Sequence, residues 1–221
     1  MINKLVSIKN VLKLRKDDGT FNYLDSISII KSLGVKYLNR VAFDGETFPL
    51  KSKHFLAQKF YQIQELDSIH TLKHVTFLTM EEILEELYIA KINQDIGFGI
   101  FASVKIPGNT CIGEYTGFLK NTKTDMPANA DYIMKYGKTL LHAPICIDAY
   151  KAGNHTRFIN HSYWPNVNVF TLMIKGEWKN LFITCDDIKP GQQLFINYGF
   201  NYWYMRNIKP LPLPEFDPFV L

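Results

Sequence analysis

The chain has 221 residues, enough for one large domain or for a domain with an appended lobe, and either can bury a real core. A hydrophobic content of 47% with 14% aromatic residues excludes a disordered polypeptide. Lys and Arg number 25 against 21 Asp and Glu, and the formal charge of +4 is too small to imply binding to nucleic acid.

The three cysteines, Cys111, Cys146 and Cys185, are widely spaced and form no Cys-x-x-Cys pair. Neither a zinc knuckle nor a disulfide framework is expected, and they read as buried thiols in a reducing compartment. From Met1 to Val11 the apolar residues are interrupted by Lys4 and Lys9, so the uninterrupted apolar core of a cleavable signal peptide is missing. No run approaches the length needed to span a bilayer. A soluble protein is expected, with export by a signal-independent route left open.

Residues 1 to about 50 read as a small irregular lobe, with turn signals at Asp18-Gly19 and Asp44-Gly45. Between them Asp25 or Ser26 caps a short helix that runs to Leu33, and Gly34 ends it in the left-handed conformation. From Phe55, the apolar residues Leu56, Phe60, Ile63 and Leu66 recur at helical steps and predict a buried face, with Lys59, Gln62 and Glu65 toward water. Thr79-Met80-Glu81-Glu82 has the capping-box spacing and predicts a second helix start. The acidic group Glu81, Glu82, Glu85 and Glu86 reads as a solvated face near a helix amino terminus rather than as a metal site.

After Tyr88 the period changes. Segments rich in Ile, Val, Tyr and Phe alternate with Gly, Pro and Asn turns, and predict strands at Tyr88–Ile92, Gly99–Ser103, Thr110–Tyr115, Tyr132–Lys135, Ile145–Asp148, Val167–Thr171, Trp178–Thr184 and Gln193–Ile196. No long helical patterns alternate with them, which disfavours a doubly wound parallel sheet. The fold class is therefore mainly β (α+β): a helical or irregular lobe over 1–87, a β domain over 88–205, and a proline-rich tail over 206–221. The prolines of Pro210-Leu211-Pro212-Leu213-Pro214 force that tail to lie extended on a surface, pinned by Phe216 and Phe219.

Two stretches carry candidate chemistry. Gly97-Phe98-Gly99 lets backbone approach a ligand, although a glycine pair before a strand is also an ordinary tight turn. Arg157-Phe158-Ile159-Asn160-His161-Ser162, followed by Pro165-Asn166, places an amide and an imidazole behind an apolar pair. That is either a reader of a flat polar ring or a core turn whose polar groups satisfy one another.

Taken in order, Gly97–Ala102, Ile112-Gly113-Glu114-Tyr115-Thr116-Gly117, Asp131-Tyr132-Ile133, Ile147-Asp148-Ala149 with Gly153-Asn154, the Arg157–Ser162 stretch, and Gly191–Gly199 resemble the SET-domain protein lysine methyltransferases. The resemblance covers roughly 88–205, and Ile112–Gly117 with Tyr202-Trp203 is similar to the compact SET proteins of chlamydiae. It implies small β-sheets around a knot-like, threaded carboxy-terminal segment in which Arg157–Ser162 meets Leu194–Gly199. It also implies S-adenosyl-L-methionine as methyl donor on one face and a lysine entering a narrow channel from the other.

By the same resemblance, Tyr198 and Tyr115 are the catalytic tyrosines. Gly97, Phe98, Gly99, Tyr132, Asn160, the His161 backbone, Tyr202 and Trp203 hold the donor, and Tyr115, Ile196, Tyr198 and Phe200 line the channel. Arg157 braces the threaded segment, and His142 and His155 have no assigned role. The chain departs from the family in having no cysteine-rich flank, so Phe200 to Tyr204 and the proline-rich tail have to close the lysine channel. Ile196 stands where the family carries Phe or Tyr, which implies room for di- and trimethylation. Asn197 and Gln192-Gln193 replace common acidic residues. The implied substrate is a basic protein such as a histone or histone-like protein, and the setting a bacterial cytoplasm or, as an effector, a host nucleus. The rival readings are a SET fold that binds without turnover and a metal-dependent hydrolase using Asp148, His155 and His161.

Overall fold

A computed structural model of the chain describes residues 11–43, 55–123, 125, 129–137, 145–204, 206–215 and 217, with the side chains of 43, 55–61 and 130 left undescribed. The Asp44-Gly45 turn, His142, the pinning residues Phe216 and Phe219, and all of the amino-terminal segment except Val11 lie outside these residues. Among the described residues the strands form three four-stranded sheets and two paired segments. No helix among them is long and apolar enough to cross a membrane.

The β half follows the predicted strands closely, with the long antiparallel pair Val167–Ile174 and Glu177–Thr184 continuing into Thr110–Glu114. Residues 11–25 are a correction. They form a hairpin, Val11–Arg15 with Phe21–Asp25, rather than an irregular segment. The predicted Asp18-Gly19 turn closes it: Gly19 has φ +84°, and Asp18 Oδ1 accepts from the Thr20 amide at 2.9 Å. Leu12 is fully buried, and the hairpin adds in parallel to Leu87–Asn93, with Leu14 opposite Ile89.

Three further pairings cross the expected boundary at residue 87. Lys36–Tyr37 pairs with Ala152–Gly153, Ala42–Phe43 with Phe118–Leu119, and Thr76–Phe77 with Thr110–Cys111, all in parallel. Leu12, Ile29, Ile30, Ile83 and Leu84 belong to the same buried cluster as Ile100, Ile147 and Phe182. One core therefore runs through both parts of the chain.

The predicted caps are present. Asp25 accepts from the Ser28 amide at 3.0 Å to start helix Ser26–Ser32, and Gly34 follows it with φ +77°. Thr79 and Glu82 form a reciprocal capping box on Met80–Glu85. The face assigned to helix Phe55–Leu72 is a second correction: Ile63 and Leu66 are 48% and 67% exposed. The helix instead buries Ser68, whose hydroxyl donates to the Gln64 carbonyl and accepts from the Met173 amide at 2.8 Å. A strand amide needing a partner has selected a small polar residue for the contact. Cys111 and Cys146 are buried, Cys185 is half-buried, and all three thiols are free.

Candidate active site

The site is built on the parallel pair Asn160–His161 with Phe195–Ile196. Asn154 caps the preceding turn, accepting from the Thr156 amide at 3.1 Å, and the chain then enters the pair through Ile159. On the far side Asn166 donates to the Gln193 carbonyl and accepts from the Phe195 amide, both at 2.8 Å. The two segments expected to meet are thus joined by backbone pairing and by one bidentate amide.

This junction orients Tyr198. Its amide donates to His161 Nδ1 at 3.1 Å, and its hydroxyl donates to the Ile159 carbonyl at 3.0 Å. Because Nδ1 accepts, the imidazole carries its proton on Nε2, and burial lowers its pKa and favours that neutral form. The sequence reading gave a role only to the His161 backbone. The side chain's part in holding Tyr198 has no signal in a local motif, since the partners are far apart in the chain. Tyr115 donates to the Tyr132 carbonyl at 2.9 Å. Burial pushes the pKa of both Tyr115 and Tyr198 well above the ordinary phenol range, so both remain protonated donors at neutral pH.

Two cavities meet here. The larger, about 850 Å³, is lined by Gly97, Phe98, Tyr132, Asn160, His161, Tyr198, Tyr202 and Trp203. The smaller, about 240 Å³, is lined by Tyr115, Ile133, Met134, Ile159, Val169, Phe182, Ile196 and Tyr198, among others. Asp131, Arg157, Tyr198 and Tyr202 line both and so form the wall between them. Two aromatic rings stand in that wall, where Tyr202 meets Tyr198 at 4.8 Å, and Trp203 stacks on Tyr198 at 6.1 Å from the larger cavity.

Residues 97–199 match the SET domain family. This stretch is a SET domain. Over 115 residues the chain is 30% identical to the histone-lysine N-methyltransferase EZH2 of Chaetomium thermophilum, covering 48% of this chain and 8% of that protein. Over 122 residues it is 32% identical to the mouse histone-lysine N-methyltransferase EHMT1, covering 51% and 9%. The chain thus spans about a tenth of the length of these relatives. In structure it is similar to ATXR5 crystallised in complex with histone H3.1, with a TM-score of 0.54, 16% identity, and coverage of 77% of this chain and 84% of that one.

Most residues singled out in the sequence converge on the two cavities of the SET domain, with two exceptions. Phe200 lines neither cavity: it is 75% exposed and stacks on Tyr204. Gly99 is a packing residue. A Cβ there would lie 2.6 Å from the side-chain nitrogen Nε2 of Gln193 and 3.2 Å from Nδ2 of Asn160, so the missing side chain makes room for the junction.

The tail also departs from expectation. Ile208, Lys209, Pro210, Leu211 and Leu213 line the larger cavity, and among the described residues no tail residue lines the smaller one. The tail is fixed at its near end by Arg206, which stacks over Tyr202 and pairs with Asp131 at 3.3 Å. At its far end the Gln193 amide donates to the Glu215 carbonyl, and the Asp217 amide to the Gly191 carbonyl. Buried Asp217 pairs with Arg15 at 2.7 Å and accepts from the Tyr88 hydroxyl at 2.8 Å.

His155 is fully buried, touches neither cavity and bonds the Ile112 carbonyl at 2.9 Å. Among the described residues no three His, Cys, Asp or Glu side chains converge as metal ligands.

Proposed function

We propose that the chain is an S-adenosyl-L-methionine-dependent protein lysine N-methyltransferase. The observation that carries this is the pair of cavities, one roomy and one narrow, divided by a wall that holds Tyr198 and Tyr202. The larger cavity suits the donor. Asn160 uses its amide nitrogen on the Phe98 carbonyl at 3.1 Å and keeps its oxygen for a ligand ammonium, while Tyr202 and Trp203 offer ring faces to a flat base. At Gly97 the space is open, so ligand can lie against the backbone. When bound, the donor supplies an electrophilic methyl on a sulfonium.

The narrow cavity suits an alkyl amine. Ile133, Val169, Phe182 and Ile196 would pack its methylenes, and the hydroxyl oxygens of Tyr115 and Tyr198 would receive the amine. Each hydroxyl hydrogen is already given to a carbonyl, which turns the oxygen lone pairs toward the amine. The chain then has little to do beyond alignment, and alignment supplies much of the rate. Ile196 lines this cavity and carries no hydroxyl to hold a water there, so a methylated amine is proposed to turn and react again. Mass spectrometry after exhaustive turnover should show di- or trimethyl-lysine; monomethyl product alone contradicts this part of the proposal.

The relatives named as histone-lysine methyltransferases support a histone or histone-like protein as substrate. Residues 88–205 with the tail are proposed to carry the catalytic groups, on a core they share with the preceding residues, and the chain is proposed to work in a bacterial cytoplasm or, as an effector, in a host nucleus; immunolocalisation distinguishes these. The deciding experiment is transfer of labelled methyl from S-adenosyl-L-methionine to mixed histones in the presence of chelator. Transfer that falls in Tyr198→Phe and Asn160→Ala supports the proposal. Donor binding without transfer to any lysine substrate leaves a binding module instead.

A further inference from the structure

Arg157 is a buried cation in the wall shared by the two cavities. Its Nε donates to the Ala149 carbonyl at 2.9 Å and its Nη2 to the Tyr150 carbonyl at 3.2 Å. The guanidinium carbon lies 4.1 Å from the centre of the Tyr132 ring and 4.9 Å from that of Phe158. The residue is 9% exposed, and among the described residues no carboxylate forms an ion pair with it. Carbonyls and ring faces hold a guanidinium in place without cancelling its charge, and it does not deprotonate in proteins. Bracing alone does not require this arrangement, because an apolar side chain could fill the same space without the cost of burying a charge.

A lysine enters the narrow cavity as an ammonium and must lose a proton before its nitrogen can attack. Several groups set the potential it meets. Tyr115, Tyr198 and Tyr202 are neutral, the last with its pKa pushed up to about 12, chiefly by burial. Asp131 is engaged by Arg206 and by the Tyr202 hydroxyl. Exposed Lys135 adds a cation at the lining, Glu114 behind Tyr115 is paired with Lys179 at 2.9 Å, and buried Asp148 accepts from the Tyr150 amide. Among the charges that line the narrow cavity, Arg157 and Lys135 outnumber Asp131, which Arg206 pairs, so the balance at the lining is positive.

We infer that Arg157 is an electrostatic positioning residue whose fixed charge drives a lysine held in the narrow cavity toward its neutral amine. An N–H bond of the ammonium breaks, its electron pair stays on nitrogen, and the proton leaves to water at the channel mouth. The inference rests on the methyltransferase reading.

The test is the pH profile of kcat, whose rising limb reports the bound lysine. Arg157→Gln should move that limb up by about one pH unit, the size expected for one cation at close range in partly screened surroundings. Arg157→Lys, which keeps the charge and loses the fork, should leave the limb in place even if the rate falls. Equal loss at every pH in both variants, with the limb unmoved, overturns the inference and leaves a bracing role. A second readout needs no turnover and no variant: a peptide with a nitrogen-15-labelled lysine, bound to the wild-type chain, is titrated by NMR. Its amine should titrate about one unit below the free peptide, and a value at or above the free one overturns the inference even if Arg157→Gln does not fold. Absence of methyl transfer by the wild type at any pH is a different failure, that of the methyltransferase reading itself.

Discussion

Tyr198 shows how much of this site depends on single hydrogen bonds. Its ring is fixed at both ends, by its amide on His161 and by its hydroxyl on Ile159. Tyr198→Phe removes only the hydroxyl, so the chain should stay folded and bind donor while kcat falls by roughly 100-fold, the usual scale for a lost transition-state contact. Donor affinity by calorimetry and methyl transfer by scintillation separate the two effects. His155 makes the opposite kind of prediction. Burial holds its pKa down to about 4 from an ordinary 6.5, so the folded chain binds fewer protons than the unfolded one between those values. The stability this represents is present above pH 6.5 and is lost as pH falls toward 4, amounting to about 3 kcal/mol. Urea midpoints across that window should show the slope, and His155→Gln should flatten it.

At the scale of elements, what could be read in the sequence depended on length. Strands such as Ile145–Asp148 and Glu177–Thr184 carry enough β-branched and aromatic residues to show a pattern, and the Arg157–Ser162 stretch carries its chemistry in adjacent positions. Lys36–Tyr37, Ala42–Phe43 and Thr76–Phe77 are two residues each, too short for any period, and their partners lie far along the chain. Helix Phe55–Leu72 was legible as a helix but not in its facing, because Ser68 makes the contact to the strand, while the more apolar Ile63 and Leu66 stay exposed. The tail was legible as extended, whereas the cavity it would wall was not, since that depends on where Asp217 is anchored. Asn166 tests the junction between elements. Asn166→Ala removes both bonds that tie it to Gln193 and Phe195, and should cost about 2 kcal/mol in chemical denaturation. Tyr198 should then be less well held, and the rate should fall more than donor affinity does.

For the whole molecule, the shared core means that the SET domain does not stand apart from what precedes it. A fragment spanning 88–221 would expose the partners of Leu12, Ile29, Ile30, Ile83 and Leu84, and its circular dichroism and NMR spectra should be those of an unfolded or molten chain. Adding residues 1–87 as a separate polypeptide should restore a folded spectrum if the parallel pairings form between chains. Asp217 is the other long-range element. Asp217→Asn neutralises the carboxylate that pairs with the Arg15 guanidinium, itself 7% exposed, and should lower stability by about 3 kcal/mol. Because the tail walls the larger cavity, donor affinity should fall with it, while the exposed Lys105–Asp187 pair should show little effect when broken.

The Arg15–Asp217 contact also orders events at the ribosome. Arg15 emerges early, and its carboxylate is added roughly 200 residues later, on the order of 10 to 40 seconds at ordinary rates of synthesis. Through that interval the amino-terminal hairpin carries a cation meant for burial and a sheet whose last partners do not yet exist. Stable closure of the core therefore waits for the end of translation of this region. A nascent chain arrested before Asp217 should stay sensitive to protease, and one arrested on a linker fused after Leu221, long enough to bring Asp217 out of the ribosome, should not.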